Sequence, residues 1–108
     1  MPTYNKLIRD KIPQIIKNNG KTPITRILPE KEYINEICKK TQEELTEHLE
    51  ATTKEHKLEE LSDLLELINA LAKHEGTTLE EINKIRKKKA TERGTFQNRT
   101  FLIKVTDN

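Results

Sequence analysis

Two acidic groups in the chain have the spacing of metal ligands. One is Glu43-Glu44-Leu45-Thr46-Glu47, the other Glu60-Leu61-Ser62-Asp63. Glu44 and Glu47 are three residues apart, as are Glu60 and Asp63. On a helix each pair sits on one side, one turn apart, where like charges repel unless a cation lies between them. At about 100° per residue, Asp63 falls between Leu67 and Ala70 on the helical wheel, and Glu60 falls beside Leu67 and Leu71. These acids therefore border an apolar sector and are expected to face neighbouring helices, whereas Glu59 and Glu66 point away as ordinary solvated charges. Four carboxylates converging inside a helical protein are untenable as bare charges. A hard divalent cation resolves the conflict, and oxygen-only ligation suits Mg²⁺, with Mn²⁺ as a substitute, better than Zn²⁺. Mg²⁺ prefers to share itself with substrate phosphates, so the pattern points to phosphate chemistry. The competing reading is plain solvated surface, since glutamates at this spacing are common on soluble helices.

The elements that must position these acids are legible in outline. Pro2, Pro13, Pro23 and Pro29 crowd the first third, whereas from Pro29 to Arg93 there is no further proline and Gly76 is the lone glycine. That stretch reads as helix. A first long helix begins just after Pro29 and runs to about Glu50, with Ile34, Ile37, Cys38, Thr41, Leu45 and Leu49 as its packed stripe and Cys38 as a core residue. Ala51-Thr52-Thr53 breaks the pattern as a short turn. A second helix runs from about Lys54 to Glu75, and Leu58, Leu61, Leu64, Leu65, Leu67, Ile68, Leu71 and Ala72 cover a wide arc of it. Such a helix is central in a bundle or lies in a dimer interface. Gly76 is its expected C-cap. Thr78 and Glu81 form a capping box that opens a third helix to about Thr91. The short turn makes the first two helices antiparallel neighbours, with the acidic pairs at matching distances from it. Lys11 to Asn18 reads as a short helix, and Ile24–Leu28 with Thr100–Val105 as a small two-stranded sheet. The expected fold is mainly α: an antiparallel helical bundle with a minor two-stranded β element, completed by oligomerisation.

Composition bounds the rest. With 108 residues the chain is expected to form a single domain, and 32% hydrophobic residues against 35% charged is a thin supply for a compact monomer. A homodimer or dimer of dimers would supply the missing apolar surface. No run of 18 apolar residues is present, so no membrane span is expected, and the N-terminus lacks the apolar segment of a secretory signal. One cysteine, Cys38, forms no internal disulfide and agrees with a cytoplasmic location. A net charge of +2 argues against a generic nucleic-acid binder.

EELTE (43–47) followed by ELSD (60–63) resembles the EExxE…ExxD pattern of the all-α NTP pyrophosphatase superfamily, which includes MazG-like enzymes, dimeric dUTPases and phosphoribosyl-ATP pyrophosphohydrolase. YNKLIRDKIP (4–13), TRIL (25–28) and RKKKATERGTF (86–96) extend the resemblance, over nearly the whole chain, to the small MazG-related proteins. The resemblance implies Mg²⁺-dependent hydrolysis of a nucleoside triphosphate between the α and β phosphates, giving the monophosphate and pyrophosphate. Carried over by motif position, Glu44, Glu47, Glu60 and Asp63 would ligate the metal, and Glu43 would orient or activate the attacking water, ranked below the ligands for its exposed wheel position.

A triphosphate also needs cations. Lys6, Arg9 and Lys11 form one cluster, and Lys87, Lys88, Lys89, Arg93 and Arg99 another. Of the second, Lys89 and Arg93 share an i, i+4 face and are preferred, together with Arg9; Asp10 is a structural partner for Arg9 or a lysine. His48 and His56, four residues from Glu44 and Glu60, read more simply as surface than as partners of the ligands, and Phe96, Phe101 and Tyr4 more simply as packing than as a base platform. The favoured function is a nucleotide pyrophosphohydrolase that removes noncanonical nucleotides. Its rivals are phosphoribosyl-ATP pyrophosphohydrolase, a non-catalytic helical adaptor, and, weaker, a nucleic-acid binder using Lys84 to Arg93.

Overall fold

A computed structural model describes residues 3–107. The chain is mainly helical: α1 (Ile12–Asn18), α2 (Glu30–Glu50), α3 (Lys54–His74) and α4 (Leu79–Arg93). It divides into two compact units, with the boundary after Leu71. The first holds the N-terminal segment, α1, α2 and most of α3. The second holds the last residues of α3, then α4 and the C-terminal segment.

In the first unit, Pro29 is extended (φ −61°, ψ 157°) and caps α2, which ends when Ala51 also turns extended. Residues 51–53 link α2 to α3, as the sequence predicts. His48 Nδ1 lies 3.3 Å from the Lys57 carbonyl oxygen and ties the two helices beside this link. Ile37 is fully buried on α2 and Leu67 is buried on α3. α1 is short and closes at Asn19 and Gly20, where the Gly20 N–H donates to the Lys17 carbonyl at 3.0 Å with Gly20 at φ +79°.

The α2 stripe differs from the expected one. Cys38 is exposed, as are Leu45 and Leu49. With Ile37 taken as the inward direction, Glu44 lies within about 20° of it, whereas Leu45, Cys38 and Leu49 lie about 80° to 120° away. The apolar residues of α2 thus make two adjacent strips, and only the one at Ile37 is covered. α3 behaves alike. Leu67 and Leu64 face inward, while Leu58, Leu61, Leu65 and Ile68 form a strip on another side, each 41% to 54% exposed.

In the second unit, Gly76 (φ +77°) closes α3, with the Gly76 N–H donating to Lys73 C=O at 3.0 Å and the Thr77 N–H to Ala72 C=O at 2.9 Å. Thr78 caps α4 by accepting the Glu81 N–H at 3.1 Å. The Glu81 carboxylate accepts from Lys84 Nζ at 3.2 Å, so the second half of the expected capping box is replaced by an i, i+3 ion pair. α4 continues past Thr91 to Arg93, ends at Gly94 (φ +86°) and buries no residue.

The expected two-stranded sheet does not form: no strand occurs among the described residues. Pro23 and Pro29 deprive the first segment of backbone donors at both ends. Ile24, Ile27, Phe101 and Ile103 remain 87% to 96% exposed. Among the described residues no helix is long and apolar enough to cross a membrane.

Candidate metal centre

The site lies wholly in the first unit and grows from the wheel geometry of α2 and α3. Glu44 follows Ile37 by two turns and Glu60 precedes Leu67 by two turns, so each acid projects beside a buried apolar residue. The helix–helix contacts step back along α2 as they step forward along α3, from His48 with Lys57 to Glu44 and Glu47 with Glu60. One carboxylate oxygen each from Glu44, Glu47 and Glu60 lies within 4.8 Å of the others. Glu44 is 8% exposed, the single buried charged residue among those described. Its Oε2 and the Oε2 of Glu60 are buried with no hydrogen-bond partner.

Such an arrangement is unfavourable in the bare protein. The Glu44 carboxyl is pushed up to about 8, first by burial, then by hydrogen bonding with Glu60 that requires a shared proton, and further by the charges of Glu47, Asp63 and Glu60. Glu47 is raised too, mainly by the same relation to Glu60 and despite opposing contributions from Glu44 and Lys40. A proton can relieve three converging carboxylates; a hard cation relieves them better, because it satisfies the orphaned oxygens without neutralising the donors one by one. The donor set is all oxygen, of the kind that could hold a hard divalent cation.

Asp63 stands apart from the trio. Its Oδ1 accepts from Arg9 Nη2 at 2.6 Å, so Arg9 pairs with Asp63 and not with Asp10. Lys40, one turn before Glu44, places Nζ 3.9 Å from Glu44 Oε1. An open cleft of about 350 Å³ adjoins the trio through Glu44. Its cations are Lys6, Arg9 and Lys40, its further acids Asp63 and Glu66, and its apolar wall Ile8, Ile12 and Leu67. Glu66 is therefore no bystander: it lines the cleft, and its carboxylate also accepts from Asn69 Nδ2 at 3.2 Å.

The remaining candidates divide. Glu43 is exposed and outside the trio, about 120° around α2 from Ile37. Lys11 is exposed and does not line the cleft. Lys89 and Arg93 lie on α4 in the second unit, both exposed. His48 serves the α2–α3 link. Lys40, Ile8 and Ile12 join the cleft from outside the sequence-predicted set. The i, i+4 spacing of Lys40 with Glu44 was the available signal for the first; the other two depend on where the N-terminal segment folds back.

No family model matches the chain, and no solved structure matches it. The chain is similar to an uncharacterized protein of Mycolicibacterium smegmatis (strain ATCC 700084 / mc(2)155), at 39% identity over 54 residues. That match covers 50% of this chain and 55% of the relative, so the chain spans about half the length of the curated relative it matches.

Proposed function

We propose that this chain is a Mg²⁺-dependent nucleoside triphosphate pyrophosphohydrolase, which cleaves the α–β phosphoanhydride to give a nucleoside monophosphate and pyrophosphate. The observation that supports it is the buried Glu44 with an unpartnered oxygen, grouped with Glu47 and Glu60 and itself lining a cleft that Lys6, Arg9 and Lys40 also line. Glu44, Glu47 and Glu60 hold the cation, and Asp63 is the fourth ligand. The bound cation supplies charge neutralisation at the phosphates and a bound water of lowered pKa. Lys6, Arg9 and Lys40 line the cleft as partners for phosphate oxygens that Glu44 and Asp63 alone would repel. Ile8, Ile12 and Leu67 offer the less polar part of the substrate an apolar wall. Water attacks the α phosphorus, its proton passes to a carboxylate, and the bond to the bridging oxygen breaks as pyrophosphate leaves.

The working form is a homodimer or dimer of dimers. Only Ile37, Leu67 and Ala72 are buried apolar residues among those described, whereas Leu58, Leu61, Leu65 and Ile68 of α3 and Leu45 and Leu49 of α2 are exposed. A second copy is the partner that would cover such strips.

Pyrophosphate release is to be screened over canonical and modified NTPs, dNTPs and phosphoribosyl-ATP, with and without Mg²⁺. Mg²⁺-dependent turnover that Glu60→Gln abolishes is expected. Turnover of phosphoribosyl-ATP alone assigns the histidine-biosynthetic reaction, and no turnover of any substrate by correctly folded protein refutes the hydrolase and leaves the adaptor reading.

A further inference from the structure

Asp63 follows Glu60 by one turn, on the same side of α3, and its charge is close enough to act on Glu44. Even so, its oxygens are not among the atoms that converge within 4.8 Å. What holds Asp63 is Arg9, 54 residues away, through a short charge-assisted hydrogen bond of 2.6 Å. The N-terminal segment is thereby fastened to α3. Arg9 is also coupled to α1, because its carbonyl accepts the Ile12 N–H at 3.1 Å. The pair is half-open to water, at 55% exposure for the Arg9 side chain and 38% for Asp63. Exposed pairs of this kind are weak and yield to a stronger competitor.

We propose that Arg9 is a resident counter-ion that a divalent cation must displace from Asp63, so that loading the carboxylate cluster and freeing the N-terminal segment are one event. This rests on the metal reading given above. A dication at Glu44, Glu47 and Glu60 attracts a fourth carboxylate one turn away more strongly than a solvated guanidinium does. Once released from Asp63, the Arg9 guanidinium, which lines the cleft in the paired state, has all its donors open to the oxygens of an arriving phosphate. Substrate is thus gripped only after the metal is in place. In the bare protein the same arginine is spent on Asp63, and the cleft has one cation fewer to offer.

The test uses the full chain and Mn²⁺ alone, with affinity read by electron paramagnetic resonance of free Mn²⁺ and segment release by amide hydrogen exchange. Arg9→Gln removes the competitor and is expected to tighten Mn²⁺ binding by about two- to fivefold, the scale of an exposed ion pair. Arg9→Lys, which keeps the charge but loses the planar fork, falls between. Lys6→Gln removes an equal charge from the same cleft wall and is expected to change affinity by less than about 1.5-fold. In the unmodified chain Mn²⁺ speeds exchange of the Ile12 amide, whose N–H donates to the Arg9 carbonyl; in Arg9→Gln exchange there is fast with or without Mn²⁺. Weaker or unchanged Mn²⁺ binding in Arg9→Gln, an equal effect of Lys6→Gln, or slower exchange on adding Mn²⁺ overturns the proposal while the metal site stands. If the unmodified chain binds no Mn²⁺, the proposal and the metal site fall together.

Discussion

The acidic face between α2 and α3 and the surface of α4 are both dense in charge, and they differ in where that charge goes. On α4 no residue is buried, so its charges stay in water, and Lys84 and Arg86 also find partners along the helix, Lys84 with Glu81 and Arg86 Nε with the Asn83 amide oxygen at 2.7 Å. On the α2–α3 face Glu44 is buried and two carboxylate oxygens have no partner. Charge density therefore does not make a site. What marks one is charge that the fold has taken out of water without an internal answer, since that costs stability unless a ligand repays it.

Removing charge from each region in turn tests the contrast most directly. Glu60→Gln is expected to lower Mg²⁺-dependent turnover at least about a hundredfold, while Glu81→Gln on α4 leaves it within about twofold; steady-state pyrophosphate release checks both. The exposed strips come next. If the proposed oligomer forms, Leu61→Glu with Leu65→Glu is expected to convert it to monomer in size-exclusion chromatography with light scattering, because two charges are then set in the face a second copy would cover.

The third test follows from the proton held by Glu44. Its carboxyl is raised from 4.5 to about 8 in the folded chain. Between those values the folded state retains a proton that the unfolded state has lost, so the contribution of Glu44 to metal-free stability is full below about 4.5 and is lost as pH rises toward 8. Urea melts are expected to show this decline, on the order of a few kcal/mol across the window. Saturating Mg²⁺ or Mn²⁺ should flatten it, with the largest stabilisation at the upper end. Glu44→Gln should make the metal-free decline shallower, leaving the part that Glu47 contributes, and raise stability at pH 8 by about 1–3 kcal/mol. A flat metal-free profile for the unmodified chain would contradict the buried, proton-sharing cluster. The smallest effect belongs to α4: Thr78→Ala costs about 1 kcal/mol through loss of the cap, with no change in metal affinity.

Helix positions were readable from the sequence because proline, glycine and the Thr78 cap punctuate the chain locally. The burial of Glu44 was readable in part, since two turns before it stands Ile37. The mis-set stripe on α2 has a definite cause. Leu45, Cys38 and Leu49 are as apolar as Ile37, and a single chain covers only one of two adjacent strips, so apolar periodicity alone places the inward direction too far toward them. The Arg9–Asp63 pair was out of reach: nothing local links residues 54 positions apart, and Asp10 was the nearer partner along the chain. The unformed sheet is the converse case. β-branched composition at 24–28 and 100–105 states a preference, but a strand needs a neighbour with free donors.

The short link at 51–53 acts as a ruler. Glu44 stands eight residues before Thr52 and Glu60 eight after it, so the phase of α3 against α2 is set by the length of that link. If one residue gained there were absorbed as extra helix, α3 would swing by about 100° relative to its partner, and Glu60 would leave its two fellow acids. Homologous chains that keep the chemistry are therefore expected to carry their insertions and deletions in the segment between α1 and α2 or beyond Gly94, and to hold this joint at constant length.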